Sequence, residues 1–238
     1  LFPNEKTSIE LDRLLANLDL EQVEVRTVEA DARPPSVFVS ERDAVLILID
    51  GEPLLEPVED SDLLVVINTP SDLFWHKRLG SYYLRIGQGW LSSFKPEDGW
   101  TTIDRLPDEF NAIAGTEGWA EVRAAIPGVP YGPGDAPQVF VSTEPAALLV
   151  FDGKPNLGQV PGTDLLFATN TESDVFLDVG GSGDFYVLLA GRWFCMPTLN
   201  SPLSFIDHDL PSDFASIPPE HPAGRVLVSV PGTQQAQE

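Results

Sequence analysis

Short apolar runs separated by turn-forming residues are the main pattern of this chain. Residues 37–40, 44–49 and 63–67 are rich in Val, Ile and Leu, and Asp-Gly, Pro or Asp-Ser-Asp stands between the runs. Runs of this length that contain β-branched residues and end at turn formers are typical of β-strands. The first half of the chain is therefore predicted to form several short strands.

The same pattern returns in the second half, where residues 139–142, 147–151 and 165–168 form the corresponding runs. The first run is identical in both halves, with the sequence Val-Phe-Val-Ser. Two further motifs recur at the same spacing: Asp50-Gly51 as Asp152-Gly153, and Asn68-Thr69 as Asn170-Thr171. A repeat of this length indicates that one domain-sized unit has been duplicated. Residues kept in both copies are expected to be architectural, whereas catalytic sets seldom appear whole in each copy.

An aromatic hairpin is the clearest element of each copy. Residues 82–91 and 186–194 each carry two apolar arms around a glycine-containing turn. Gly191 stands where a tight hairpin turn requires a positive φ, which glycine adopts without a steric penalty, and Gly87 and Gly89 lie in the equivalent loop of the first copy. We therefore expect a two-stranded antiparallel hairpin at the same place in both copies.

Segments outside the strands show other periodicities. Apolar residues at near-helical spacing predict a short amphipathic helix over residues 7–19, and alternation over 23–28 predicts a half-buried strand. Residues 106–110 and 210–214 begin with Leu-Pro and carry acids early, which predicts a single helical turn in each copy. Residues 226–230 are predicted to form a closing strand.

These elements predict a mainly β protein of two tandem, homologous, small antiparallel β modules, rich in hairpins and preceded by a short helix and strand. The expected boundaries are an N-terminal segment at 1–33 that ends an upstream domain, a first module at 34–129, a Pro/Gly linker at 130–137, a second module at 138–233 and a polar tail at 234–238. The proline-rich linker is expected to be semi-rigid.

Charge narrows the range of partners. The chain has 37 acidic and 14 basic residues, and its formal net charge is −23. Nucleic-acid binding is not expected, because phosphates attract stripes of Lys and Arg. Anionic membrane surfaces are disfavoured for the same reason. The acidity is read mainly as a solvated surface that keeps the protein soluble, with attraction of cations or of a basic partner as the functional alternative.

The cysteine content and the hydropathy argue against disulfides, thiolate metal sites and membrane-spanning helices. Cys195 is the only cysteine, so no intramolecular disulfide or thiolate metal site can form. No apolar run approaches the roughly 18 residues that a membrane-spanning helix needs. Because the chain begins at Leu1 rather than Met, we expect a processed piece, in agreement with an envelope location.

One stretch of the second copy carries a family resemblance. Residues 185–194, Leu210-Pro211 and 228–233 are similar to uncharacterised bacterial envelope proteins often labelled carbohydrate-binding family V/XII proteins. The resemblance covers residues 34–238. It implies tandem copies of this module behind a secretion signal, a periplasmic or extracellular location, and no established catalytic residues.

No catalytic or metal-binding constellation emerges from the residues, and neither enzyme activity nor a cofactor is expected. His76, His208 and His221 have no in-register counterparts in the other copy, so a triad is not expected. Residues 180–183 (Gly-Gly-Ser-Gly) are interpreted as a hairpin loop rather than a nucleophile elbow. Residues 207–209 with Asp213, and the acids near Glu56, are weighed as cation sites and set aside in favour of capping and solvation.

Aromatic residues that differ between the copies are the remaining binding candidates. Trp75, Trp100 and Trp119 have no Trp at the corresponding place in the second copy, and exposed rings can anchor a protein partner or stack on a sugar. Arg192, next to Trp193, is a candidate for pairing with a carboxylate. Trp90 and Trp193 occupy matching hairpin positions and are predicted to be core residues.

The leading hypothesis is therefore a non-catalytic binding or scaffold protein of the bacterial cell envelope, which acts through protein–protein contacts as an accessory subunit on a membrane-associated complex. The alternative is a carbohydrate-binding module that stacks polysaccharide on exposed aromatic rings. A row of rings spaced like sugars would favour the alternative, and a compact apolar patch rimmed by charges would favour protein docking. A glycosidase would need two facing carboxylates in a cleft.

Overall fold

The computed structural model describes residues 33–115, 119–206 and 210–237, and every structural statement below concerns these ranges. The helix and strand expected at 7–19 and 23–28 lie outside them. The chain divides into two units, and the unit described here is Pro34–Glu238. It contains both copies of the repeat.

Eight strands form in each copy, close to the apolar runs. In the first copy they are β1 (Ser36–Ser40), β2 (Ala44–Leu48), β3 (Leu55–Pro57), β4 (Leu63–Val66), β5 (Leu73–His76), β6 (Ser81–Ile86), β7 (Gly89–Ser93) and β8 (Thr101–Thr102). In the second copy they are β9 (Gln138–Ser142), β10 (Ala146–Val150), β11 (Leu157–Gln159), β12 (Leu165–Ala168), β13 (Asp174–Asp178), β14 (Phe185–Leu189), β15 (Arg192–Met196) and β16 (Ser204–Phe205).

Each copy builds its own antiparallel sheet. The sheets have six strands each, in the orders β3-β4-β5-β6-β7-β8 and β11-β12-β13-β14-β15-β16, so that every strand pairs with its neighbour in sequence. The prediction of a mainly β protein with two tandem antiparallel modules is confirmed. Simple meanders of this kind need only short turns between strands, in agreement with the density of Gly and Pro.

The first two strands of each copy pair with the other copy. β1 pairs in parallel with β10, and β2 pairs in parallel with β9, which gives two ribbons that each contain one strand from either copy. The pairing relates the copies by an approximate two-fold exchange, because β1 corresponds to β9 and β2 to β10. Parallel pairing was not predicted from the sequence.

Each ribbon covers one face of a six-stranded sheet. On the first sheet, Ile47 and Ile49 of one copy and Val139 and Val141 of the other pack against buried residues such as Leu84. The second sheet has the equivalent cover, in which Val37 and Val39 join Leu149 and Phe151. The apolar positions of each ribbon thus reach a core that neither copy could complete alone.

The opposite face of each sheet packs on an aromatic cluster. In the first copy Phe110 makes edge contacts with Phe74, Tyr83 and Trp90, with ring centroids 5.5, 5.3 and 5.1 Å away. Phe214 repeats these contacts in the second copy, at 5.1, 5.4 and 4.9 Å from Phe176, Tyr186 and Trp193. Edge contacts between rings add to the hydrophobic stabilisation of such a core. Trp90 and Trp193 also donate their indole N–H to the carbonyls of Ala125 and Ser229.

Short helices carry these phenylalanines onto the sheets. They comprise α1 (Ala120–Ala124) and three 3₁₀ segments, Asp108–Gly115, Ser212–Ser216 and Pro222–Ser229. The helical turns predicted near Phe110 and Phe214 are confirmed.

The closing strand predicted at 226–230 is wrong, because that stretch belongs to a 3₁₀ segment. Val226, Leu227 and Val230 are buried while Val228 is exposed, which is a helical rather than an alternating pattern. The segment begins directly after His221, whose Nδ1 accepts the N–H of Ala223 and so caps the first turn.

The recurring asparagines explain two motifs of the repeat. Asn68 donates its side-chain amide to the carbonyls of Asp50 and Glu52, and its Oδ1 accepts the N–H of Leu54. Asn170 makes the same three contacts with Asp152, Lys154 and Asn156. One side chain therefore holds the Asp-Gly turn before β3 or β11 in each copy, as expected of an architectural residue.

The hairpin turns follow the sequence prediction. Gly87 and Gly191 have φ angles of 59° and 78°, in the left-handed region that favours glycine. The β6–β7 and β14–β15 hairpins join at these turns.

Cleavage of the linker is expected to leave the two copies associated. The ribbons contain one strand from each copy, so separation would expose both apolar ribbon faces. A specific protease site inserted between Gly134 and Asp135 would test this by size-exclusion chromatography before and after cleavage. Co-elution in native buffer and separation in denaturant are expected, and two fragments that separate in native buffer would contradict the cross-copy pairing.

Phe110→Ala and Phe214→Ala are each expected to lower the free energy of unfolding by about 3–5 kcal/mol, because each leaves a cavity among three aromatic partners. Both side chains are 0 % exposed. Urea denaturation measures the loss. Phe94→Ala is the matched control, since Phe94 is 79 % exposed and its removal should change stability by less than about 0.5 kcal/mol.

Candidate partner-binding surface

A row of mainly apolar and aromatic side chains crosses the ribbon side of the first sheet. Cross-strand register places Pro57, Leu64, Trp75, Tyr82 and Ser93 opposite one another on successive strands. Trp100 directly precedes β8 and continues the row opposite Ser93, since Thr101 pairs with Ser92. We call these six residues the aromatic strip. At about 4.8 Å per strand, the strip crosses the full width of the sheet.

The aromatic strip is partly buried, and Tyr82 and Trp100 pack against the core under the ribbon. Trp75, Tyr82 and Trp100 are half-buried. The rings of Trp75 and Tyr82 touch, with centroids 4.5 Å apart and planes tilted by 49°. Trp100 donates its indole N–H to the Pro96 carbonyl at 3.1 Å, which fixes the ring against the sheet. The three rings are therefore held by neighbouring groups and remain partly accessible to solvent.

Carboxylates border the aromatic strip. Burial raises the pKa of the Tyr82 hydroxyl, and the charges of Glu97 and Glu52 raise it further. Both glutamates are therefore close enough to act on the centre of the strip. An aromatic strip with acids nearby is suited to a partner that offers apolar and basic groups together.

The corresponding row of the second copy has a different chemistry. Register places Leu166, Leu177, Phe185 and Met196 opposite one another, and Leu203 takes the place of Trp100. Met196 and Leu203, two of these five residues, are buried and belong to the core. The two copies share the backbone framework, but only the first copy has tryptophans, Trp75 and Trp100, in this row.

The structure brings two of the four sequence candidates together. Trp75 and Trp100 lie on the aromatic strip. Trp119 lies on the opposite face of the first sheet, where its ring contacts Phe74 at 5.2 Å and packs against the aromatic core. Arg192 is exposed at the start of β15 in the second copy. Site membership of all four stays a prediction.

Tyr82 was not singled out by sequence reasoning, although it lies at the centre of the strip. Its counterpart in the second copy is Phe185, so the aromatic character is shared and the comparison of copies gave no signal. Only the register between β5 and β6 shows that Tyr82 contacts Trp75.

A cluster of charged residues surrounds His76 on the opposite face of the first sheet, where the helical segments pack. His76 is 0 % exposed, and its Nε2 lies 3.4 Å from Oε2 of Glu109 without the geometry of a hydrogen bond. Arg78 pairs with Glu109 and, at 3.3 Å, with Asp62. The pKa of the Glu109 carboxyl is lowered, first by a hydrogen bond from its own backbone N–H and then by His76 and Arg78, while partial burial opposes the shift.

A large cleft lies where the two copies meet. It encloses about 980 Å³ between the β1–β2 turn, the linker and the second copy. Leu148, Val150 and Phe151 are part of its apolar lining, and its charged lining residues are five acids and Arg42. No group of three or more His, Cys, Asp or Glu side chains within the described ranges is arranged to hold a metal ion.

Other sequence candidates for chemistry take structural roles or fall outside the described ranges. The buried carboxylate of Asp178 accepts the N–H groups of Gly180, Gly181 and Ser182, which orders the glycine-rich hairpin loop. Residues 207–209, weighed as a cation site, are outside the described residues. Within the part of the chain that the structure describes, no helix is long and apolar enough to cross a membrane.

Comparison with known proteins gave no match: no family model, no curated protein and no solved structure is detectably similar to this chain.

The pH dependence of Glu109→Gln is expected to report the charge cluster. A carboxyl whose pKa is lowered in the folded state stabilises the fold above its unfolded pKa, near 4.5, and loses this effect as the pH falls through the folded value. The variant should therefore be less stable than the wild type at pH 7 and equally stable below both values. Urea midpoints measured from pH 7 into the acid range test this: the difference should shrink as the pH falls below 4.5, and a difference that does not change with pH would contradict it.

Proposed function

We propose that this protein is a non-catalytic binding or scaffold protein of the bacterial cell envelope, which docks a protein partner on the aromatic strip of its first copy. The observation that supports the proposal is the difference between the copies: on one shared framework, Trp75 and Trp100 stand in the first copy where the second has Leu177 and Leu203. Tryptophan and tyrosine dominate the binding energy of many interfaces.

The envelope location rests on the resemblance of the second copy to bacterial envelope proteins. The accessory role on a membrane-associated complex extends the same reasoning. The acidic border of Glu52 and Glu97, in a chain of net charge −23, favours a basic partner segment and disfavours nucleic acid and anionic lipid.

A carbohydrate-binding module is the second candidate function. The observation that favours it is the aromatic strip. Half-buried rings at Trp75 and Trp100 have faces on which a sugar could stack. The rings of Trp75 and Tyr82 touch with their planes tilted by 49°, so these two rings do not form separate, coplanar platforms for successive sugars. This geometry favours protein docking.

Affinity purification of the native protein from gently solubilised membranes tests the proposal. The wild type should recover a defined membrane complex in stoichiometric amount. The double variant Trp75→Ala with Trp100→Ala should recover about tenfold less, because hot-spot tryptophans typically contribute more than this factor. Mass spectrometry of the recovered proteins provides the measurement.

Leu177→Ala is the matched control, because Leu177 holds the place of Trp75 on the second sheet. Recovery should be unchanged in this variant, and circular dichroism checks that all variants are folded. Equal loss in the control would indicate a general effect of destabilisation. Retention of the wild type on polysaccharide, with no protein partner, would replace protein docking with carbohydrate binding.

A further inference from the structure

The linker covers the hairpin of the first copy. The N–H of Val129 donates to the Gln88 carbonyl at 2.8 Å, and the Tyr131 hydroxyl donates to the Ile86 carbonyl at 3.0 Å. The Tyr131 ring lies directly on Gly89, where an added Cβ would stand 2.5 Å from the ring. The hairpin turn therefore binds an extended segment of the chain itself.

The same segment covers Trp90, the hairpin tryptophan of the first copy. Gly128 passes so close to Trp90 that a Cβ at Gly128 would stand 2.8 Å from the indole. Trp90 is 2 % exposed, and the space enclosed between it and Val129 with Pro130 is only about 10 Å³. An aliphatic residue followed by proline is thus the cover that this hairpin accepts.

The equivalent hairpin of the second copy has no such cover among the described residues. After Gly232 the chain turns back, and the Thr233 hydroxyl donates to the carbonyls of Leu227 and Val230. Trp193 is half-buried whereas Trp90 is buried, and Arg192 is exposed whereas its counterpart Gly89 is buried. The surface that binds the linker in one copy is open in the other.

An apolar groove accompanies this open hairpin. It encloses about 540 Å³, against about 10 Å³ in the first copy. Trp193, Leu210, Pro211, Ala215 and Pro231 line it. We call this space, together with the open turn, the hairpin groove. Its dimensions and apolar lining are those of a site for a short peptide segment.

We propose that the hairpin groove binds an extended segment of another protein, in which an aliphatic residue precedes proline and an aromatic residue follows. The first copy supplies the argument, because Val129, Pro130 and Tyr131 have this order and cover the equivalent surface. The aliphatic residue donates its N–H to the Gly191 carbonyl, which corresponds to that of Gln88. The site is separate from the aromatic strip and does not depend on its function.

Arg192 defines how the two hairpins differ. It replaces Gly89, so the aromatic residue of the incoming segment cannot lie on bare backbone as Tyr131 does. The exposed guanidinium has no hydrogen-bond or ion-pair partner within the described part of the chain and can stack on an aromatic face. The structure thus gives Arg192 a role in peptide binding.

A synthetic peptide with the sequence of residues 126–135 (IPGVPYGPGD) is the probe. Fluorescence anisotropy of the labelled peptide, titrated with the whole protein, should show saturable binding at one site. Ala215→Phe fills the groove from its exposed side and should weaken binding by about tenfold or more, and Arg192→Ala should weaken it by about threefold.

Asn111→Phe is the matched control, because Asn111 is exposed and takes the place of Ala215 in the first copy. This variant should bind as the wild type does, and a peptide with Gly and Ser in place of Val and Tyr should not bind. Thermal unfolding shows whether each variant is folded. Absence of saturable binding, equal weakening by Ala215→Phe and Asn111→Phe, or unchanged affinity in Arg192→Ala would overturn the proposal.

Discussion

The exchange of the first two strands between the copies is the constraint on which the rest of the structure depends. β1 and β2 carry apolar side chains on successive positions, and neither strand pairs within its own copy. Parallel pairing with the other copy buries Ile47, Ile49, Leu149 and Phe151 against the sheets. Since burial of apolar surface is the main stabilising term in folding, the pair of copies is the natural folding unit.

This arrangement leaves each six-stranded sheet covered on both faces. One face packs on the phenylalanine carried by a 3₁₀ segment, and the other packs on a ribbon made by both copies. Trp75, Tyr82 and Trp100 are half-buried on the ribbon side of the first sheet, and Tyr82 and Trp100 pack against the core that the ribbon covers.

The duplication separates architecture from function within a single chain. Residues that recur, such as Asn68 with Asn170 and Phe110 with Phe214, hold turns or fill cores. Asp72 and Asp174 also recur, although their arginines differ: Arg85 lies on a strand, while Arg225 lies on a 3₁₀ segment. The ion pair is therefore kept in both copies, although its arginine comes from a different element in each. Differences without such compensation, at the aromatic strip and the hairpin groove, are where the two copies can have separate roles.

The sequence by itself determined the repeat, most strand positions, the hairpin turns and the helical turns, because these depend on recurring motifs, short apolar runs, glycine at positive φ, and Leu-Pro followed by acids. It could not determine which strands pair across the copies, since residues 37–40 and 139–142 are identical and periodicity carries no information on partners. The segment at 226–230 was mistaken for a strand because its apolar residues are consecutive, and only packing on the core decided which are buried. Register placed Trp75, Tyr82 and Trp100 on one strip, and the path of the linker decided that Trp90 is covered while Trp193 remains open.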